Sequence, residues 1–258
     1  MTRAPDVTSQ WMARGEHEIP PTEAWLTAGE VDRAARLRFT KRRTEYLLRR
    51  WVCKQAVAVA TGMPTDLPSL TRIEVANHPG GAPYVQVDGS ALTLDVSLTD
   101  RAGWAVCLVG ACRGRVGCDL EIVEPRSAGF VADFLTPAEQ EFVDSRPDDR
   151  DATANLIWSA KESALKVLQT GLRRDTRSVE VVVAAPEGDG TGSANGWARL
   201  EVRTAEGGLM PGWWRRDGVF LVTVAAERPL PPPTSMLGSV DLAAVRPTHS
   251  WLCRPLSP

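Results

Sequence analysis

Histidine and lysine are the scarce chemistry of this 258-residue chain. Histidine occurs only at His17, His78 and His249, and the five cysteines (Cys53, Cys107, Cys112, Cys118, Cys253) form no Cys-x-x-Cys pair. Zinc-type ligand spacing is therefore absent, and the cysteine usage is that of a reduced, cytoplasmic compartment. No signal-peptide pattern opens the sequence, and no apolar run approaches the ~20 residues that a bilayer span needs, so no membrane is expected as partner. The Gly-x-x-x-x-Gly-Lys-Ser/Thr loop of P-loop enzymes is missing as well. Net charge is −2, which provides no general basic field, so nucleic acid is not an expected partner either. Hydrophobic content of 43% and charged content of 24% are those of a globular protein with ample core, in one large domain or two ordinary ones.

What lysine there is stands out. Of the 30 basic residues only Lys41, Lys54, Lys161 and Lys166 are lysine, and the last two flank Glu162. Arginine is a planar fork, whereas lysine is a compact charge whose pKa responds to its site, which draws attention to these four positions.

Periodicity predicts a helix over residues 33–61, ended by Gly62-Met63-Pro64, and a second over residues 154–169, stopped by Gly171. Thr136-Pro137-Ala138-Glu139 reads as a helix start with a capping box. Strands are predicted at 73–75, 84–87, 92–98, 104–109, 115–123, 179–184, 198–202 and 219–225. The glycine-rich stretch 188–196 precedes no helical pattern and reads as a hairpin loop rather than a phosphate cradle. From residue 227 onward, seven prolines punctuate a tail without sustained period, expected to be extended or partly disordered.

The two halves echo each other. Trp51-Val52-Cys53-Lys54-Gln55 in the first helix answers Trp158-Ser159-Ala160-Lys161-Glu162 in the second. This predicts an α+β fold: a pseudo-two-fold pair of similar lobes, each a long helix on a small antiparallel sheet, with the site in the cleft between them. The expected boundaries are 1–113 for the N-terminal lobe, 114–226 for the C-terminal lobe and 227–258 for the tail.

Chemistry concentrates in the second half. Gly117-Cys118-Asp119-Leu120-Glu121 reads as a strand with Asp119 and Glu121 leaving on one face. Glu162 sits on the helix with Trp158 and Lys166 four residues to either side. Three carboxylates that can converge beside lysines suit a hard cation, Mg²⁺, holding a phosphate-bearing substrate.

These motifs resemble those of the 4′-phosphopantetheinyl transferases. Gly117-Cys118-Asp119-Leu120-Glu121 is similar to their Gly-Val-Asp-Ile-Glu, and Trp158-Ser159-Ala160-Lys161-Glu162-Ser163 to their Trp-x-x-Lys-Glu-Ala/Ser, with Lys166 where the family has a second lysine. Phe134 to Glu139 resembles the stretch between them, and the length resembles the large monomeric Sfp type. The resemblance, over residues 33–225, implies Mg²⁺- or Mn²⁺-dependent transfer of the phosphopantetheine arm of coenzyme A to a serine of an apo acyl or peptidyl carrier protein. It implies a metal held by Asp119, Glu121 and Glu162, catalysis by Glu162, Lys166 and Asp119, and coenzyme contacts from Lys161 and Trp158.

Two departures from the family pattern fall in the first half. Ser97-Leu98-Thr99-Asp100-Arg101-Ala102-Gly103 resembles Ser-Leu-Ser-His-x-x-Gly but has Asp100 at the histidine position. The coenzyme contacts implied there are Ser97, Thr99, Asp100 and Arg101. Gly81-Ala82-Pro83-Tyr84 resembles the Gly-Lys/Arg-Pro-Tyr/Phe turn but has Ala82 for the basic residue. The basic cluster Arg36, Arg38, Lys41, Arg42, Arg43, Arg49 and Arg50 is expected to compensate, with Lys41 and Arg42 at the 3′-phosphate of the coenzyme. Phe130, Val131, Phe134 and Leu135 are candidates for an apolar carrier-docking surface.

Overall fold

The computed structural model describes residues 8–111, 114–183 and 196–248. The predicted loop at 188–195, Cys112, Cys253 and the tail residues Trp251 and Leu252 lie outside these. In chain order the first half comprises β1 (Ser9–Gly15), α1 (Ala28–Ala35), α2 (Thr40–Thr61), α3 (Leu67–Thr71), β2 (Ile73–Asn77) and β3 (Pro83–Val87). It continues with β4 (Ser90–Ala91), β5 (Leu94–Arg101) and β6 (Trp104–Ala111). The second half comprises β7 (Val116–Ile122), α4 (Ala128–Phe134), α5 (Pro137–Asp144), α6 (Arg150–Val167) and β8 (Val179–Val183). There follow β9 (Ala198–Thr204), β10 (Leu209–Asp217), β11 (Phe220–Ala226) and β12 (Thr234–Ser235).

The fold is mixed α+β. One sheet has the order β12-β1-β6-β5, a second β7-β11-β10-β9-β8, and a small third β2-β3-β4. Strand pleat decides what each face meets. On β6, Ala105, Cys107 and Val109 pack in the core around α2, while Trp104, Val106 and Leu108 point to the core between the sheets. On β7, Val116, Cys118 and Leu120 join that same inter-sheet core. The intervening Gly117, Asp119 and Glu121 therefore face α6. Alternation thus delivers both carboxylates to one helix, as the sequence predicted.

Gly117 is what lets α6 come so close. A Cβ built there would lie 2.0 Å from the Ser163 carbonyl oxygen, a distance no side chain tolerates. Ser159 and Ser163 on α6 meet Thr223 on β11 through hydrogen bonds of 2.9 and 2.8 Å, so small hydroxyls knit helix to sheet where larger side chains would hold them apart.

The two large sheets join along a polar seam. Asp95, Ser97 and Thr99, alternate residues of β5, each accept a backbone N–H of β7, from Val116, Cys118 and Leu120 respectively. The edge amides of β7 are thereby satisfied by side chains rather than by a further strand.

Several boundaries differ from expectation. The first predicted helix is two, because residues 36–39 break it and Thr27 opens α1 with its own capping box to Glu30. Strands β1, β10 and β12 were not foreseen. In β10, Pro211 and Gly212 hide the strand pattern. Gly212 is required there, since a Cβ would lie 2.3 Å from the Val224 carbonyl oxygen. The described part of the tail is ordered against the first half: β12 pairs in parallel with β1, and Met236 and Leu242 are buried. Trp104 donates its indole N–H to the Arg246 carbonyl at 2.7 Å.

Both long helices are anchored by the same device. Lys54 of α2 is fully buried, with Nζ 2.6 Å from Glu30 and donating to the carbonyls of Trp25 and Leu70. Lys161 of α6 is equally buried, 2.7 Å from Glu139 and donating to the carbonyls of Thr176 and Val179. Each glutamate also closes a capping box with Thr27 or Thr136 and accepts a strand amide, Val75 N–H for Glu30 and Val181 N–H for Glu139. Burial lowers both lysine pKa values, and the paired glutamates oppose it.

Candidate active site

The cleft between the halves is built from β5, β7, α2, α6 and the turns beside them. Asp119 accepts hydrogen bonds from Thr99 at 3.0 Å, Ser159 at 3.0 Å and the Lys166 ammonium at 2.9 Å. Lys166 also donates to the Cys118 carbonyl at 2.8 Å. Burial works against the Lys166 charge, but Asp119 and its neighbours outweigh it and raise its pKa. Lys166 is therefore a fixed ammonium at the wall of the cleft.

Glu121 is held from three sides. Trp158 donates its indole N–H at 3.0 Å, and Arg101 and Arg126 each stand 3.2 Å away. Arg126 is itself positioned by Asn155, whose Oδ1 accepts from its Nε at 2.7 Å. Burial and the Asp119 charge still push the Glu121 carboxyl above its usual range. Glu162 goes further, up to about 7, driven by burial first and then by Asp119 and Glu121, with Lys166 opposing. Burial is the larger cause of that shift, and the two neighbouring carboxylates add to it.

The donor set, three carboxylates on facing elements, has the chemistry a hard divalent cation takes. The trio is not assembled as a closed cage. Among the described residues, no three Asp, Glu, His or Cys side chains stand together closely enough to hold one ion.

Beside Lys166 opens a cavity of about 320 Å³. Its walls include the cations Arg49, Arg50, Arg115, Lys166 and Arg173, and Asp95 is the acidic residue among them. Asp95 is already committed to the Val116 amide. Arg50 lies over the Tyr46 ring at 3.8 Å and donates to Asn77 at 3.1 Å, so it is rigidly presented. Such a space suits a ligand carrying several phosphates. A smaller cavity of about 170 Å³ adjoins Lys41, Glu45, Asp100, Arg101 and Glu124.

The residues expected at a coenzyme are distributed differently. Lys161 is a correction: with its ammonium fully buried on Glu139, it presents nothing to the cleft. Ser97 lines the larger cavity, while the hydroxyls of both Ser97 and Thr99 accept β7 amides at the seam. Arg101 sits on Glu121 and Glu124. Asp100 forms an ion pair with Arg49. Lys41 and Arg42 lie outside the larger cavity, 3.8 and 3.7 Å from Glu45. Trp158 orients Glu121 and packs edge-on against Phe130 and Phe134. Val131 and Leu135 are core, so they offer no docking surface.

Arg49 and Arg50 had been grouped with the basic face of the first helix, and its periodicity already placed them two turns beyond Lys41. Arg126, Arg115 and Arg173 carried no signal, because each lies in a connecting segment whose path depends on tertiary packing.

Residues 115–203 match the family model described as the 4′-phosphopantetheinyl transferase superfamily. No curated protein matches the sequence. Among solved structures, the crystal structure of Thermotoga maritima holo-[acyl-carrier-protein] synthase aligns at 25% identity, with a TM-score of 0.33, over 48% of this chain and 79% of that one. No helix among the described residues is long and apolar enough to cross a membrane. The match to the 4′-phosphopantetheinyl transferase superfamily runs from β7 to β9 and takes in Asp119, Glu121, Glu162 and Lys166, the residues around which the candidate site is built.

Proposed function

We propose that the protein transfers the 4′-phosphopantetheine arm of coenzyme A to a serine of an apo acyl or peptidyl carrier protein, releasing adenosine 3′,5′-bisphosphate. The observation that carries this reading is the adjacency of two unlike environments. A cavity walled by five cations meets, at Lys166, a cluster of three carboxylates containing one with a pKa near 7. The first environment suits the phosphates of coenzyme A. The second suits proton removal and charge neutralisation at the bond that breaks.

In this reading the pantetheine diphosphate lies against Lys166, whose ammonium offsets charge on the departing phosphate as the serine oxygen attacks phosphorus. Glu162, or a water it holds, takes the serine proton. Arg49 and Arg50 hold the rest of the coenzyme, and much of the acceleration comes from aligning the serine with the scissile bond. Asp119, Glu121 and Glu162 would hold Mg²⁺ or Mn²⁺, which supplies further neutralisation of diphosphate oxygens. The matched Lys54–Glu30 and Lys161–Glu139 anchors support a pair of related lobes, as in the large Sfp type acting as a monomer. The domain boundaries at 113 and 226 follow from that reading, as does a cytoplasmic location.

The test is intact-mass analysis of an apo-carrier incubated with the protein, coenzyme A and Mg²⁺. A gain of one phosphopantetheine on the carrier is the expected result. Binding of coenzyme A without mass gain on any carrier would instead mark a coenzyme- or carrier-binding relative that has lost transfer.

A further inference from the structure

The cavity ends at two turns, one from each half. The first, between β2 and β3, runs through Gly80, Gly81 and Ala82, with Gly81 at φ 92°. It presents backbone and a methyl group, and no charge. The second follows α6, where Gln169 at φ 58° and Gly171 at φ 52° double the chain back into a short 3₁₀ turn, Gly171–Arg173. Holding a non-glycine residue such as Gln169 in the left-handed region costs about 1 kcal/mol, so the direction of this turn is imposed.

Its consequence is the placement of Arg173. Nη2 donates to the Gly80 carbonyl at 2.8 Å and to the Gln169 carbonyl at 3.2 Å. A guanidinium of the second half therefore rests on the uncharged turn of the first, at the rim of the cavity. Arg49 and Lys166 have carboxylate partners in Asp100 and Asp119. Among the described residues Arg173 is bonded only to carbonyls, so its full charge faces whatever anion enters.

We propose that Arg173 binds the 3′-phosphate of coenzyme A, supplying across the cleft the charge that the turn at Ala82 lacks. This rests on reading the cavity as the coenzyme site. Two phosphate positions must then be served. The diphosphate belongs by Lys166, where the bond breaks, and Arg173 stands beyond the end of α6, on the turn that meets Gly80 at the rim of the cavity. Arg173 is thus placed for the more distant phosphate.

The experiment measures calorimetric binding of coenzyme A and of 3′-dephospho-coenzyme A to the full chain, to Arg173→Ala, and to the double variant Ala82→Lys/Arg173→Ala. Arg173 is exposed and outside the core, so folding is not at risk. Arg173→Ala should weaken coenzyme A about tenfold, the size of one charge-assisted hydrogen bond, and change the dephospho form less than twofold. Lysine at position 82 should restore most of the loss. Equal weakening of both ligands would show that Arg173 only clasps the two turns, and no weakening would remove it from the site; either overturns the proposal. Unmodified protein that shows this phosphate dependence yet modifies no carrier would sink the transferase reading while leaving Arg173 in place. Protein that binds neither ligand sinks both.

Discussion

Replacing Lys161 by methionine separates a structural lysine from a ligand-binding one. The substitution removes the ammonium and keeps a flexible side chain of similar length. Glu139 then remains with 1% of its side chain exposed, still accepting N–H bonds from Thr136 and Val181 but without its counter-charge. The carbonyls of Thr176 and Val179 lose their donor at the same time. Removing one partner of a buried pair costs about 3–5 kcal/mol. Set against a typical total stability of ~5–15 kcal/mol, that is a large part of the whole. Urea unfolding followed by circular dichroism should show the midpoint falling with an unchanged slope. Lys161→Met/Glu139→Gln should recover part of the loss, since the neutral amide no longer needs a cation. Lys54→Met should behave alike, because Glu30 holds Lys54 by the same contacts. The reasoning fails if Lys161→Met keeps its stability to within 1 kcal/mol while its KM for coenzyme A rises, for then the ammonium reaches the ligand.

Three further outcomes follow from the site. Glu162, ordinarily near 4.5, is pushed up to about 7, so the folded state binds more protons than the unfolded one between those values, and metal-free stability should fall as pH rises through that window. Glu162→Gln should flatten the fall, which is at most about 3 kcal/mol, and thermal melts from pH 4 to 8 measure it; a parallel decline in the variant refutes the assignment. Gly117→Ala sets a methyl against the Ser163 carbonyl and should destabilise by about 1–3 kcal/mol or more, with transfer lost as α6 is pushed off β7; a normal melting temperature would contradict the close approach. Asp100→Asn removes the anion that engages Arg49 at the cavity wall, and should lower the KM for coenzyme A several-fold; a raised KM would mean that Asp100 serves to hold Arg49 in place.

Much of the second half was legible because its signals are local. Alternation along β7 and the four-residue spacing on α6 place Asp119, Glu121, Glu162 and Lys166 without any tertiary knowledge. Thr136 and Glu139 likewise announced a capping box, and it formed. The cationic wall of the cavity was not legible. Arg49 and Arg173 meet the same cavity from α2 and from the turn after α6, 124 positions apart in the chain, so no spacing rule links them. The structural duty of Ser97 and Thr99 was not legible either: a hydroxyl on a strand does not announce which edge it will cap until the neighbouring strand is known, and here that edge is β7.

The two halves together separate the part of the Trp-x-x-Lys-Glu motif that anchors the helix from the part that faces the cleft. The lysine recurs in both helices, buried on a capping-box glutamate that also ties down a strand amide. A feature present in both halves cannot account for chemistry confined to one. The next residue differs: Gln55 follows Lys54 and donates to the Thr65 carbonyl at 3.5 Å, whereas Glu162 follows Lys161 and lies close enough to Asp119 and Glu121 to feel their charge. One step along a helix turns the side chain by about 100°, from the buried anchor to the face that meets β7. The lysine thereby fixes the rotation of α6, and that rotation aims Glu162 at the carboxylates. Under the proposed function, Lys161 serves transfer from inside the core, by setting where Glu162 points.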